Sequence, residues 1–181
     1  MSQRRVQIVV LCEDRQQEVF ARHFLKKRGF ILDRNFRIEI CPKGAGEQFV
    51  RKRYPAEVKA YRSKNYLSGM LVVLIDADNK TVEERLNQLD EALSENSQLV
   101  RQPREAIAIF IPKKNIETWI HYLQGEIVDE ETEYSKLNSE SACKPYVENL
   151  VKQCYEGLHK NAPLSLQTAC GELQRILSLL E

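Results

Sequence analysis

The chain alternates short apolar runs with longer stretches in which apolar residues recur every three or four positions. Three apolar runs have the length and continuity of buried β-strands and lie at residues 7–11, 70–75 and 106–111. A fourth strand is predicted at residues 36–40, where apolar and charged residues alternate, which is typical of a more exposed strand nearer an edge of the sheet. The amphipathic stretches predict helices at residues 15–28, 47–64, 81–93, 116–123, 144–158 and 166–180. This alternation predicts an α/β sandwich, in which a mainly parallel sheet of about four strands is flanked by helices and followed by two C-terminal helices.

Local signals refine the ends of these elements. Thr81 and Glu84 match a capping box at the start of the third helix, and Gly29 is placed to end the first helix. Pro55 lies inside the second helix, where it predicts a bend or a break.

The length and composition predict a single globular domain. The chain has 181 residues, of which 43% are hydrophobic and 29% charged, and its formal net charge is +1. Residues 126–141 are polar and acidic, which predicts a surface loop. We expect a core at residues 1–125, on which this loop and the C-terminal helices, residues 126–181, are packed. No apolar stretch approaches the ~20 residues of a membrane span, so no membrane association is expected.

The cysteines predict a reduced protein of the cytoplasm. Their number is odd and no two form a CxxC motif; they are Cys12, Cys41, Cys143, Cys154 and Cys170. Cys12 and Cys41 end apolar runs, which is typical of small buried side chains. No close cluster of cysteine and histidine predicts a zinc site, and the N-terminus lacks the apolar core of a signal peptide. We therefore expect free thiols throughout.

Carboxylates follow two of the apolar runs. Glu13 and Asp14 close the first run, and Asp76 and Asp78 close the run at residues 70–75. Because functional groups gather at the carboxyl ends of parallel strands, we expect these side chains to share one acidic pocket. Two carboxylates at ~4 Å repel by roughly 4 kcal/mol at an effective dielectric constant near 20, and Mg²⁺ would reverse that sign. Alternatively, these acids cap or begin the following helices, where the helix dipole favours negative charge.

At this point the chain resembles the Toprim domain superfamily, which topoisomerases, bacterial primases, recombination-repair proteins and the overcoming-lysogenization-defect nucleases share. Residues 6–18, VQIVVLCEDRQQE, resemble the family's strand that runs into an acidic turn, with Glu13 at the place of the family's glutamate. Residues 74–78, LIDAD, resemble its Asp-x-Asp strand end. Many members carry glycine directly after the glutamate, where this chain has Asp14. The resemblance covers about residues 6–111 and is nearest the small nuclease-like branch.

The resemblance implies a nuclease that cleaves phosphodiester bonds of DNA or RNA with Mg²⁺ or Mn²⁺ as cofactor. Glu13 would act as general base or as metal ligand, and Asp76 and Asp78 would bind the metal ion. The ion would neutralise the scissile phosphate and orient the reacting oxygen. Such an enzyme would serve in phage defence or in DNA repair.

A second group of candidate residues follows the fourth strand. Lys113 and Lys114 would stabilise negative charge on the phosphate, and Glu117 would bind a metal ion. Small Toprim-like proteins have a similar Pro-x-x-x-x-Glu-x-Trp stretch after this strand. Alternatively, Asn115 caps the next helix, Glu117 lies in its first turn and Trp119 belongs to the core.

A basic segment at residues 43–64 predicts a surface that binds nucleic acid. The candidate cations are Lys43, Arg51, Lys52 and Arg53. Interleaved tyrosines would stack on unpaired bases; they are Tyr54, Tyr61 and Tyr66. The turn at residues 43–46, Lys-Gly-Ala-Gly, is another place where backbone N–H groups approach a phosphate. The alternative for this segment is an ordinary solvated helix face and a plain turn.

Two other functions fit the same residues. A response-regulator receiver domain also has acids after its first strand, a phospho-acceptor aspartate after its third and a lysine at a later strand end, which Glu13, Asp76 and Lys113 would match. A non-catalytic module would keep the fold and bind nucleic acid or protein. In that case the apolar stripe of the last helix would contact a protein partner or a second copy of the chain; it consists of Leu173, Ile176, Leu177 and Leu180.

Overall fold

The protein is described by a computed structural model that covers residues 6–64 and 68–180. Its strands are β1 (Gln7–Cys12), β2 (Phe36–Ile40), β3 (Gly69–Leu74) and β4 (Ile107–Phe110). All neighbouring strands are parallel, and their order in the sheet is β2-β1-β3-β4. The predicted α/β class and the predicted parallel sheet of four strands are confirmed.

Helices follow each strand, and two more complete the chain. They are α1 (Arg15–Lys27), α2 (Gly46–Ser63), α3 (Val82–Glu95), α4 (Ile116–Leu123), α5 (Lys144–Glu156) and α6 (Leu164–Leu179). The hydroxyl of Thr81 caps α3, because it accepts a hydrogen bond from Glu84 N at 3.0 Å. No break occurs at Pro55, since α2 continues through it. Among the described helices, none has the length and apolar character needed to cross a membrane.

The sheet separates two apolar layers, because successive side chains of a strand point to opposite faces. On β3, Met70, Val72 and Leu74 belong to one layer, whereas Leu71 and Val73 belong to the other. The first layer is shared with α1, α4, α5 and α6, and the second with α2 and α3. Burial on both faces explains why β3 and β4 appear in the sequence as continuous apolar runs, whereas the edge strand β2 is only partly buried and alternates apolar and charged residues.

Charged side chains cover the outer edge of β4. Glu172 of α6 accepts a hydrogen bond from Ile109 N at 3.1 Å. Arg101 and Arg175 donate to Ile107 O at 2.9 and 2.7 Å, and both also form salt bridges with Glu172. An edge strand leaves such main-chain groups unpaired, so these contacts both protect the edge and fix α6 to the sheet.

The apolar stripe of α6 packs inside the protein. Leu173, Ile176 and Leu177 are buried in the same core as α1 and α4, and Leu180 packs against that core. The stripe therefore cannot serve as the surface for a partner or a second copy of the chain that the sequence suggested. The polar segment between α4 and the 3-10 turn Glu140–Cys143 contains no regular secondary structure.

Cys154 of α5 and Cys170 of α6 are joined by a disulfide bond, which corrects the expectation of free thiols throughout. Cys12 and Cys143 are buried free thiols, whereas Cys41, expected to be buried, is only half-buried. No local sequence motif predicts this bond, because the two cysteines come together only when α5 and α6 have folded. The bond ties the two C-terminal helices to each other.

We predict that this disulfide stabilises the fold by about 3 kcal/mol, because it restricts the unfolded chain over a loop of 16 residues. The double variant C154A/C170A should lose roughly that amount of unfolding free energy in a urea titration without reductant. Wild type should lose a similar amount when a reductant is added. C143A is the control, because Cys143 is not paired and its effect should not change with reductant. A wild-type stability that is independent of reductant would contradict the prediction.

Candidate functional site

Glu13 and Asp76 lie where the chain leaves the sheet in opposite directions. Glu13 directly follows β1, and Asp76 comes two residues after the end of β3. These strands are neighbours in the sheet, but the helices that follow them, α1 and α3, pack on opposite faces. In open parallel sheets the crevice at such a topological switch point is the usual place for ligands. The topology therefore brings these two predicted residues to one crevice.

Gln17 of α1 is buried and connects the two carboxylates. Its Nε2 atom donates to Glu13 Oε2 at 3.1 Å and to Asp76 Oδ1 at 2.9 Å. Its Oε1 atom accepts a hydrogen bond from Glu13 N at 2.8 Å. The backbone N–H of Asp76 also donates to Glu13 Oε2, at 2.5 Å. Glu13 and Asp76, here called the acidic pair, thus share one amide nitrogen.

Asp14 is not a member of the acidic pair. Its Oδ1 atom accepts a hydrogen bond from Gln17 N at 2.9 Å, so Asp14 caps α1. Asp76 does not cap the following helix, because Thr81 occupies that position on α3. The alternative interpretation, that these acids cap helices, therefore explains Asp14 but leaves the acidic pair unexplained.

Burial raises the pKa of both carboxyl groups of the acidic pair. The pKa of Glu13 rises to about 7 because of burial, although hydrogen bonds from Asp76 N and Gln17 oppose the rise. Burial, and then the charges of Glu13 and Glu117, raise the pKa of Asp76 well above its ordinary value; the residue is only 8% exposed. Neither carboxylate forms a salt bridge with any described residue. Such a pair is suited to bind a proton or a cation.

Asp78 is directed towards Arg85 instead of the acidic pair. Its Oδ2 atom lies 3.3 Å from Arg85 Nη2, and its side chain is 53% exposed. In an extended chain Asp76 and Asp78 would point the same way, but Asp78 has a φ of 55° and so has left the strand conformation. Its charge nevertheless acts on Glu13. Metal binding by Asp78 remains a prediction.

Arg85 of α3 organises this edge and was missed in the sequence. Its guanidinium is buried and donates to the main-chain oxygens of Asp76 and Ala77 at 3.0 and 3.2 Å. It also donates to Glu47 Oε2 of α2 at 2.9 Å. These bonds hold the loop after β3 against the first turn of α2. A signal was present, since Arg85 stands four residues before Leu89 on the buried stripe of α3.

Glu117 lies in the first turn of α4 within electrostatic reach of Asp76. It is buried, and burial raises its own pKa. In the same turn, Asn115 Oδ1 and Thr118 Oγ1 are buried without a hydrogen-bond partner. Unpaired buried polar atoms are rare, and they mark places where water, an ion or a ligand binds. Trp119 is in the core, as the alternative interpretation predicted.

Lys113 and Lys114 lie at the same edge, but their amines do not contact the acidic pair. Lys113 Nζ donates to Lys80 O at 3.2 Å and lies 3.7 Å from Glu131 Oε1. Lys114 Nζ donates to Asn79 Oδ1 at 3.1 Å. A catalytic role for either lysine therefore requires its side chain to change its contacts.

Gly46 allows α2 to approach Glu13 closely. A Cβ atom at this position would lie 2.6 Å from Glu13 Cβ and 3.0 Å from Glu13 O, which is closer than real Cβ atoms come. Any side chain at this position would therefore displace Glu13 or α2. The glycine-containing turn at residues 43–46 thus brings the first turn of α2 to the acidic pair.

The arginines predicted to bind nucleic acid are paired with carboxylates. Arg51 Nε lies 2.6 Å from Glu47 Oε2, and Arg53 Nε lies 3.2 Å from Glu57 Oε1. Tyr54 is completely buried, so it cannot stack on a base as predicted. The hydroxyl of Tyr61 accepts a hydrogen bond from Ala106 N at 2.8 Å, which commits that side chain to the fold. Tyr66 lies outside the described residues.

The described residues contain no group of three or more His, Cys, Asp or Glu side chains arranged to hold a metal ion. The four predicted ligands, Glu13, Asp76, Asp78 and Glu117, therefore do not form a complete protein cage. Mg²⁺ does not need one, because it keeps several waters and binds through one or two carboxylates and the phosphates of its substrate. The acidic pair has hard oxygen donors and no cationic partner within residues 6–64 and 68–180, so it fits that mode of binding.

Comparisons with known proteins give no match, so the interpretation of the site depends on its geometry. The chain matches no protein-family model, no curated protein and no solved structure.

We predict that the acidic pair makes the protein less stable as the pH rises and that Mg²⁺ restores part of the loss. A carboxyl with a raised pKa in the folded state binds more protons than in the unfolded state between about pH 4.5 and 7. Unfolding free energy should fall over that window, by up to roughly 3 kcal/mol. D76N should reduce the fall and be more stable than wild type at pH 8.

The measurement is urea unfolding at several pH values with and without Mg²⁺. Mg²⁺ present at ten times its Kd should add about 1.4 kcal/mol to the unfolding free energy of wild type and nothing to that of D76N. D33N is the matched control, because Asp33 is exposed and distant from the pair in sequence. If the unfolding free energies of wild type and D76N change with pH in parallel, the acidic pair is not the source of the pH dependence.

A second prediction concerns the close approach of α2 to Glu13. G46A should destabilise the protein by about 1 to 3 kcal/mol, because the added methyl group overlaps Glu13. G171A in α6 is the matched control, since nothing lies within 4 Å of its added Cβ and alanine favours a helix. In thermal unfolding, the Tm of G46A should be lower than that of wild type, and the Tm of G171A should equal or exceed it. Equal stability of G46A and wild type would refute the proposed contact.

Proposed function

We propose that the protein is a Mg²⁺-dependent nuclease that cleaves phosphodiester bonds of nucleic acid at the acidic pair. One observation carries the proposal: the half-buried carboxylate of Glu13 and the buried carboxylate of Asp76 share the amide of Gln17 at the switch point of a parallel sheet, and neither has a cationic partner among the described residues. The Toprim resemblance supports the same activity, because it assigns Glu13 and the Asp76-Ala77-Asp78 strand end to such a site.

In this proposal the two carboxylates have different roles. Asp76 is the more buried and would hold Mg²⁺, which when bound would supply positive charge to neutralise the phosphate. Glu13 would act as general base, because a pKa of about 7 suits proton transfer near neutral pH. Its Oε2 atom is fixed by Gln17 and by Asp76 N, which leaves Oε1 to take a proton from the attacking water.

The remaining candidates would complete the site around the substrate. Glu117 and Asp78 lie within electrostatic reach of the acidic pair and would bind the same ion or a second one. Lys113 and Lys114 would leave their contacts with the neighbouring loops to reach the phosphate oxygens. The substrate would be DNA or RNA, and the biological role phage defence or DNA repair. The proposed location is the cytoplasm. Thiol–disulfide exchange with cellular thiols would there open and re-form the bond between Cys154 and Cys170.

A receiver-like phospho-acceptor domain is the second candidate, because one observation favours it. The strand order β2-β1-β3-β4 is also that of the first four strands of flavodoxin-like sheets, which include receiver domains. In that case Asp76 would accept a phosphoryl group from a small phosphodonor. Lys113 does not face Asp76, however, because its amine contacts Lys80 O and Glu131.

We predict that purified protein cleaves labelled DNA or RNA with Mg²⁺ or Mn²⁺ and not in EDTA. E13Q should lower the rate about 10²- to 10⁴-fold because it removes the proton acceptor. D76N should weaken the dependence on Mg²⁺ concentration as well as the rate. The measurement is single-turnover cleavage of single- and double-stranded substrates at several metal concentrations.

E91Q is the matched control for E13Q, because Glu91 is an exposed carboxylate on α3 with no contact to the site. Its cleavage rate should equal that of wild type. Phosphorylation of Asp76 by a small phosphodonor, together with no cleavage of any substrate, would replace the nuclease proposal with the receiver-like one.

A further inference from the structure

We propose that nucleic acid contacts this protein through lysines on the loops at the carboxyl edge of the sheet, and not through helix α2. The inference rests on the proposed function and adds to it the position of the substrate backbone. The lysine rim, as we call this surface, consists of Lys43, Lys80, Lys114 and Lys136.

Two rim lysines stand on loops that are joined to each other beside the acidic pair. The backbone N–H of Asp78 donates to Lys114 O at 2.9 Å, and Lys113 Nζ donates to Lys80 O at 3.2 Å. The loops after β3 and β4 therefore run side by side, with Lys80 on one and Lys114 on the other. Lys114 is also close enough to Asp78 for their charges to interact.

The other two rim lysines reach the edge from different parts of the chain. Lys43 belongs to the turn that ends at Gly46, which packs directly against Glu13. Lys136 belongs to the segment after α4, and its charge acts on Glu117. Four separate loops therefore contribute one cation each around the acidic pair.

The rim lysines are available to a phosphate, whereas the arginines of α2 are not. None of the four rim lysines forms a salt bridge with another described residue. Arg51 and Arg53 are held by Glu47 and Glu57, so a phosphate would have to displace a carboxylate at each. Affinity for nucleic acid depends on cations that neutralise phosphates and release their counterions, so unpaired lysines contribute most.

The direction of α2 also argues against its role as the contact surface. At a rise of about 1.5 Å per residue, Lys59 lies roughly 20 Å along the helix from Gly46. The cations of α2 therefore lead away from the acidic pair, towards the opposite end of the sheet. A backbone held there would place its phosphates beyond the reach of Glu13.

The test compares two double charge reversals in an E13Q background, so that binding is measured without cleavage. K80E/K114E alters the rim, and K52E/K59E alters exposed lysines of α2 by the same change in charge. Fluorescence anisotropy with short labelled single- and double-stranded oligonucleotides gives the affinity at several salt concentrations. We expect the rim variant to bind about 10- to 100-fold more weakly, with a shallower salt dependence, and the helix variant to change by about twofold or less.

The inference is overturned if both variants weaken binding equally, if only the helix variant does, or if the E13Q protein binds no oligonucleotide. Thermal unfolding shows whether the variants are folded. If K80E/K114E is not, K43E/K136E gives the same comparison, because neither of those amines makes a hydrogen bond to a described residue. Binding through the rim without cleavage by wild type would refute only the proposed nuclease. Cleavage by wild type, together with unchanged oligonucleotide binding by the rim variants in the E13Q background, would refute only this inference.

Discussion

The arrangement at the carboxyl edge depends on one side-chain amide, that of Gln17. Its oxygen accepts a hydrogen bond from the backbone N–H of Glu13, and its nitrogen donates to both carboxylates of the acidic pair. Asp14 fixes the helix that carries it, because its carboxylate accepts from the backbone N–H of Gln17. Each nitrogen and oxygen atom of this amide has a defined partner, so its orientation cannot reverse without the loss of several hydrogen bonds. The positions of Glu13 and Asp76 follow from that orientation.

The acidic pair is an unfavourable element that the rest of the fold has to tolerate. Burial of the Asp76 carboxylate and partial burial of the Glu13 carboxylate cost free energy, and their mutual repulsion adds to that cost. The apolar layers on both faces of the sheet supply the opposing free energy. Arg85 fixes the loop that carries Asp76, because it binds the main-chain oxygens of Asp76 and Ala77 without pairing with either carboxylate of the pair. A protein keeps such an arrangement where function requires it.

The elements of the fold were predictable because they depend on short-range patterns. Strands buried on both faces appear as continuous apolar runs, and α4 shows its core residues at helical spacing. The convergence of Glu13 and Asp76 was also predictable, since parallel strands bring their carboxyl ends together. What sequence patterns did not reveal depends on backbone turns and on contacts between distant elements. Asp78 leaves the strand conformation, and Cys154 meets Cys170 only in the folded state.

The distribution of positive charge explains why a nearly neutral chain can present a local surface for polyanions. Arginine is used largely within the fold: Arg85 binds a loop, and Arg101 and Arg175 cover the edge of β4. The planar guanidinium suits such fixed, multiple hydrogen bonds. Lysine is a flexible and strongly hydrated point charge, and the four rim lysines form no salt bridge with a described residue. A count of cations along the sequence treats the two alike and so favoured α2, where Arg51 and Arg53 form salt bridges with Glu47 and Glu57 of the same helix.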